Sequence, residues 1–141
     1  MQPPVETVRV SEQARDQLIK LKRLTKIKNW NVLCRWAFCF SLAEDLVPTD
    51  RQVSGDSNIE MTWKVFGGRH ERVYQALLRE RCHQDGLPLD QETLAHQFRL
   101  HLHRGIAYLS ASKHVGSLPD LCHLAIDRST FAHAKARDQS P

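Results

Sequence analysis

The sequence predicts a mainly α-helical domain with a strand-helix-helix N-terminal core, additional C-terminal helices and a short β element. Three observations support this fold class. Residues 5–10 alternate between apolar and polar side chains, as a short strand does. Residues 11–46 carry apolar side chains at helical spacing in two successive segments, and residues 69–126 repeat that spacing. The 141 residues suit one domain. We place the boundaries at 1–127 for the domain, 5–46 for its core and 128–141 for a flexible tail.

The first strand and the first helix follow directly from the residue pattern. Val8 and Val10 alternate with Thr7 and Arg9, so the strand has one apolar face. An edge strand leaves backbone groups unpaired, and we expect the same strand of a second copy to pair with it. Ser11 is a favourable N-cap for the helix that follows. The inward positions of this helix are Ala14, Leu18, Leu21 and Leu24.

The second helix, predicted over residues 32–46 after a polar turn at Asn29-Trp30-Asn31, is apolar on nearly every side. Eleven of its fifteen residues are apolar, alanine or cysteine, including Trp36, Phe38 and Phe40. A helix with this composition needs to be buried all round. We therefore predict that it forms a contact between subunits of an oligomer.

After a loop at 48–58, the pattern predicts a second strand and three more helices. The strand alternates at Ile59, Met61, Trp63 and Val65 and ends at Gly67-Gly68. A helix over about 69–83 ends at Gly86, and its predicted inward residues are Val73, Tyr74, Leu77, Leu78 and Cys82. Asp90 caps a long helix in which Gly105 permits a close helix crossing. The inward residues of that helix are Leu94, Phe98, Leu102, Ile106 and Leu109. A short helix from Ser117 to about Ile126 completes the domain.

The charge of the chain is concentrated in one segment. The net charge is +4, but residues 9–36 hold eight basic and two acidic residues, and residues 37–62 hold one basic and five acidic residues. No acidic residue lies between Asp16 and Glu44, so the salt bridges that usually lace an exposed helix are missing. This pattern favours a polyanionic partner over the alternative of an ordinary solvated helix face.

The candidate DNA-binding residues come from that basic segment and from the turn after it. They are Arg9, Lys20, Lys22, Arg23, Lys26, Lys28 and Asn31. The order of strand, helix, tight turn and helix resembles the ribbon-helix-helix plan of Met/Arc repressor-like proteins. In that plan two strands pair across a dimer. A phosphate at the start of the second helix would meet Asn31 and the amides of Val32 and Leu33.

The motifs that would indicate catalysis or a cofactor are missing from the sequence. The four cysteines include no CxxC pair, and the eight histidines form no set with metal-ligand spacing. No phosphate-binding glycine loop, GxSxG or HExxH motif occurs. We therefore expect no enzyme activity, no metal and no cofactor. With no secretory signal and no apolar run long enough to span a bilayer, we expect a cytoplasmic protein.

Several strings in the chain resemble the DndE family of DNA sulfur-modification (phosphorothioation) proteins. They are LKRLT at 21–25, NVLCRWAFC at 31–39, SLA at 41–43, ALLRER at 76–81, HQDGL at 83–87 and HLHRG at 101–105. The resemblance covers roughly residues 5–126. It implies a part in replacing a non-bridging phosphate oxygen of DNA with sulfur. In that system the chemistry belongs to a cysteine desulfurase, an iron–sulfur sulfurtransferase-like protein and an ATPase. The resemblance also implies a tetramer that binds DNA, including nicked duplex.

These observations lead to two hypotheses and exclude neither. In the first, the chain is a non-catalytic DNA-binding subunit of a phosphorothioation complex. In the second, it is a protein–protein adaptor whose basic helix docks on an acidic partner and contacts DNA little. A nuclease or nickase is less favoured, since no Asp/Glu/His cluster has metal-ligand spacing. The salt dependence of DNA binding distinguishes the first two.

Overall fold

A computed structural model describes residues 2–113 and 115–127. The predicted flexible tail lies outside these residues. Within them, a two-stranded antiparallel sheet accompanies several helices, and the prediction of a mainly helical fold is confirmed. The elements are β1 (Thr7–Arg9), α1 (Glu12–Thr25), α2 (Trp30–Leu42), β2 (Glu60–Thr62), α3 (Trp63–Gly67), α4 (Glu71–Gln84) and α5 (Gln91–Ala111). A 3-10 turn at Gly68–His70 joins α3 to α4, and residues 118–127 are helical.

Within the chain, β1 pairs with β2, and pairing with the same strand of a second copy stays a prediction. Val8 lies opposite Met61 in an antiparallel register, and the Trp63 amide donates to the Glu6 carbonyl at 3.0 Å. The alternation in β1 is confirmed, because Val8 is buried and Arg9 is exposed. One edge of β1 is therefore satisfied within the chain. The ribbon-helix-helix assignment remains a prediction, since a second copy could pair with the other edge.

The second predicted strand is shorter than its alternation suggested. The Thr62 hydroxyl accepts a hydrogen bond from the Val65 amide at 3.2 Å, so Thr62 caps α3 and the helix begins at Trp63. Helical geometry then separates the two residues that alternation had placed on one face. Trp63 is buried, whereas Val65 is half exposed.

The core of the domain is centred on the crossing of α2 and α5. A Cβ atom added to Gly105 would lie 1.8 Å from the Ala37 carbonyl oxygen, so the two helix backbones are in direct contact. This confirms the close crossing predicted at Gly105. All five inward residues predicted for α5 are buried. Phe38 of α2 packs at ring-centroid distances of 5.2 Å from Phe98 of α5 and 5.7 Å from Phe66 of α3.

Helix α2 ends at Leu42, four residues before the predicted end. Two arginines bind the carbonyl groups of its last turn and of the residues that follow. Arg81 of α4 donates to the carbonyls of Leu42 (2.8 Å), Glu44, Asp45 (3.4 Å) and Leu46 (2.9 Å). Arg104 of α5 donates to the carbonyls of Ser41 (2.7 Å) and Leu46 (2.6 Å). Asp85 balances the buried Arg81 at 3.0 Å.

The inward face of α4 was predicted only in part. Leu78 and Cys82 are buried, and Tyr74 is half-buried. The prediction that Val73 and Leu77 face inward was wrong, because their side chains are 52% and 44% exposed. The buried face of α4 is turned instead toward the C-terminal end of α2, where Arg81 donates to backbone carbonyls. Gly86 ends the helix region as predicted, with φ of +74°.

Helix α2 keeps one partly open face. Leu33, Cys34, Ala37, Phe38, Phe40 and Ser41 are buried. Val32 and Trp36 are half-buried and Cys39 is exposed. Positions 32, 36 and 39 share one side of a helix. The described part of the chain therefore does not bury α2 on all sides.

Candidate nucleic-acid interface

The end of α1 carries a group of exposed cations that we call the turn patch, defined as Lys22, Arg23, Lys26 and Lys28. All four residues are exposed. The helix ends because Lys26 adopts a left-handed conformation with φ of +63°, in which its amide donates to the Lys22 carbonyl at 2.9 Å. This conformation favours glycine, so a lysine here is unusual.

Most of the turn patch has no partner within the described part of the chain. The side chains of Arg23, Lys26 and Lys28 make no hydrogen bond or ion pair there. Lys22 differs, since its Nζ lies 4.7 Å from the centroid of the Trp30 ring in a cation–π arrangement. Trp30 is the first residue of α2, although the sequence pattern assigns it to the turn.

The other three predicted DNA-binding residues make contacts within the chain. The Lys20 Nζ donates to the Ser110 carbonyl at 2.7 Å. Arg9 forms an exposed ion pair with Glu60. The Asn31 amide nitrogen donates to the Val65 carbonyl at 3.1 Å.

The expected phosphate position at the start of α2 holds groups of the chain itself. The amides of Val32 and Leu33 both point to the Asn29 carbonyl, at 3.2 and 3.4 Å. The Asn31 side-chain oxygen also accepts from the Val32 amide at 3.0 Å. Asn31 therefore acts in the structure as a link from α2 to α3.

A second group of cations, which sequence reasoning missed, lies where α3 meets α4. We call Lys64, Arg69 and Arg72 the α3–α4 corner. They line a recess of about 450 Å³. The available signal was their placement around Gly67-Gly68, but the chain was interpreted there as the end of a strand. The Gly68 φ of +58° belongs instead to a sharp turn between helices.

The buried titratable groups of the domain are unsuited to nucleophilic chemistry. Burial raises the pKa of Cys34 to about 12 and of Cys82 to about 11, so both thiols stay protonated at neutral pH. Burial lowers the pKa of His101 to about 4. Across residues 2–113 and 115–127, no three His, Cys, Asp or Glu side chains group as metal ligands. No helix in the same residues is long and apolar enough to cross a membrane.

The fold and these surfaces define a small helical protein with exposed cationic groups. The chain belongs to the DndE family, because the family model for DNA sulphur modification protein DndE matches residues 7–117. It is similar to the crystal structure of DndE from Escherichia coli B7A involved in DNA phosphorothioation modification. The TM-score is 0.63 and the identity 25%, over 77% of this chain and 99% of that one.

A crystal structure of a DndE mutant involved in DNA phosphorothioation has the same fold. Its TM-score is 0.59 and its identity 24%, again over 77% of this chain and 99% of that chain. A search of curated proteins finds no match.

Proposed function

We propose that this chain is a non-catalytic DNA-binding subunit of a DNA phosphorothioation complex. Membership of the DndE family supports the role in sulfur modification. The observation that carries DNA binding is the turn patch, where Arg23, Lys26 and Lys28 are exposed and have no partner in the described residues. Cations left unpaired on a surface attract a polyanion strongly and in a salt-dependent way.

The predicted binding residues divide into two groups in this proposal. Lys22, Arg23, Lys26 and Lys28 make the main phosphate contacts. Lys20 and Arg9 contribute less, because binding a phosphate competes with their contacts to Ser110 and Glu60. Asn31 positions the start of α2. The duplex, including nicked duplex, is held through its phosphates and not through base edges.

The test is a titration of intact, nicked and single-stranded DNA at several salt concentrations. Removing three cations in Arg23→Ala/Lys26→Ala/Lys28→Ala should reduce the slope of log affinity against log salt by about 2–3 units. A charge-preserving variant, Arg23→Lys/Lys26→Arg/Lys28→Arg, is the matched control and should keep the slope. If the alanine variant binds duplex as the unchanged protein does, the basic helix serves an adaptor role instead.

We further propose that the chain assembles as a homotetramer and works beside the sulfurtransferase-like and ATPase subunits. The partly open face of α2, at Val32, Trp36 and Cys39, is the proposed contact between copies. Cys39→Lys places a charge on this face without entering the core of a single chain. Light scattering should then report smaller particles, and circular dichroism should show unchanged helix content. Leu77→Lys, at an exposed site on α4, is the control and should keep the oligomer.

A further inference from the structure

We propose that the α3–α4 corner is a second phosphate-binding surface for duplex DNA. This inference rests on the proposed function and extends it from one contact surface to two. It predicts that DNA contacts residues on both sides of the N-terminal end of α2, and not α1 alone.

The corner carries more positive than negative charge. Lys64, Arg69 and Arg72 are exposed, and none makes a side-chain hydrogen bond or ion pair with the described residues. Among the described residues, Glu71 is the carboxylate that lines the same recess, so three cations face one anion there. Glu6 lies beside Lys64 and Arg72 at an adjoining recess. An excess of two charges at one exposed recess is a favourable place for phosphate oxygens.

The shape of the corner is fixed by two glycines. A Cβ on Gly67 would lie 2.6 Å from the Glu71 Cβ, and a Cβ on Gly68 would lie 2.9 Å from Arg35 Nη2. Gly68 also has a positive φ, which side chains other than glycine rarely adopt. The cations therefore project from an ordered turn. Binding DNA there does not first require the backbone to become ordered, which lowers the entropic cost.

Contacts to α2 hold the corner against the start of that helix, which follows the turn patch in the chain. Arg35 of α2 donates through Nη2 to the Val65 carbonyl at 3.1 Å and through Nε to the Phe66 carbonyl. Asn31 donates to the same Val65 carbonyl at 3.1 Å. Val65 directly follows Lys64, and Asn31 lies three residues after Lys28. The two cation groups thus flank one junction between α2 and α3.

Two separate cation groups in fixed positions suit a ligand whose negative charge is spread along its length. Duplex DNA carries one negative charge per roughly 1.7 Å of helix axis. In the proposed complex, a duplex lies across the junction and places phosphates at both groups. A local cluster of carboxylates on an acidic protein would satisfy one group but not both, so we infer DNA as the occupant.

The test compares variants of the full chain by duplex binding at several salt concentrations. Lys64→Ala/Arg69→Ala/Arg72→Ala should reduce the log–log salt slope by about 2–3 units and weaken low-salt affinity roughly tenfold. The matched control is Lys64→Arg/Arg69→Lys/Arg72→Lys, which should keep the slope. Circular dichroism and urea unfolding check that each variant is folded.

The outcomes separate this inference from the proposed function. If the turn-patch alanine variant loses slope and the corner variant does not, the corner is not a DNA surface, and the proposed function stands. If the corner variant loses slope and the turn-patch variant does not, the corner is supported and the assignment to α1 fails. Loss of affinity in the charge-preserving control also overturns the inference. If the unchanged protein does not bind duplex, both proposals fall.

Discussion

The two ends of α2 use basic side chains in opposite ways. At the C-terminal end, Arg81 is only 7% exposed and donates to backbone carbonyls and to Asp85. At the N-terminal end, Arg23, Lys26 and Lys28 are exposed and make no such contacts in the described residues. A count of cations in the sequence treats these residues alike. The structure shows that backbone carbonyls take up the donors at one end and leave the charge available at the other.

The largest effect is expected from a change at the crossing of α2 and α5, which holds both ends of α2 in place. Gly105→Ala would place a methyl group 1.8 Å from the Ala37 carbonyl oxygen, which forces α2 and α5 apart. We expect a loss of at least about 4 kcal/mol in the free energy of unfolding, or no folding. Urea unfolding followed by circular dichroism measures it.

Gly86→Ala is the control for that substitution. Gly86 has φ of +74°, but nothing lies within 4 Å of an added Cβ. This change should cost about 1–2 kcal/mol from backbone strain alone. Similar losses at the two glycines would mean that the α2–α5 crossing is less tight than described.

The next largest effect tests the buried end of α2 directly. Arg81→Met removes the donors for the carbonyls beyond Leu42 and leaves Asp85, 9% exposed in its side chain, without its cation. Breaking a buried pair in this way should cost about 3–5 kcal/mol. Arg23→Met at the exposed end should change stability by less than about 0.5 kcal/mol. Equal changes in urea midpoint would remove the contrast between the two ends.

The pH dependence of stability should also arise at the buried end. His101 contacts the Ser41 hydroxyl at 2.8 Å, and its pKa is lowered to about 4 by burial, with further lowering by Arg104 and Arg81 and opposition from Asp85. The unfolded chain has a histidine pKa near 6.5. The contribution of neutral His101 to the free energy of unfolding is therefore fully present above about pH 6.5. It is lost as pH falls toward 4, by roughly 3 kcal/mol in all.

His101→Gln separates this histidine from the other titrating groups. His103, whose pKa is also lowered mainly by burial, is present in both proteins and cancels in the comparison. Between pH 7 and pH 4.5, the unchanged protein should lose about 2–3 kcal/mol more than the variant in urea unfolding. Equal losses would assign the acid sensitivity to another group.

The smallest effect is expected at the exposed end and has the opposite sign. Lys26→Gly relieves the left-handed conformation at φ of +63° and should stabilise the protein by up to about 1 kcal/mol. The same change removes one of the proposed phosphate contacts and should reduce the DNA salt slope by about one unit. Lys26→Asn, which also tolerates this conformation, is a useful second variant. A destabilised glycine variant would contradict this interpretation.

The parts of the fold that depend on neighbouring residues were predictable from the sequence. Ser11 and Asp90 cap their helices as expected, through bonds to amides three residues later. The inward positions of α5 follow from simple periodicity. The pairing of β1 with β2 was not predictable in this way, since it joins residues about fifty positions apart.

The errors in α4 share one cause, which is that polar side chains occupy positions that apolar ones usually fill. Arg81 and Gln75 are buried in α4, whereas Val73 and Leu77 are exposed. Hydrophobic periodicity assigns these residues the reverse way. The candidate site has the same limit. The basic character of α1 is visible in the sequence, but the partners of Lys20 and Arg9 lie on distant segments, as does the contact that brings the α3–α4 corner beside α2.

The attachment of α2 at both ends has a kinetic consequence. Asn31 and Arg35 fix its start to α3, and Arg81 and Arg104 fix its end to α4 and α5. In the proposed DNA complex, the cations beside its start are already in place, and no slow rearrangement follows first contact. We expect electrostatic steering to govern association, so the association rate constant should fall steeply with ionic strength. Stopped-flow traces of binding should then show a single concentration-dependent phase.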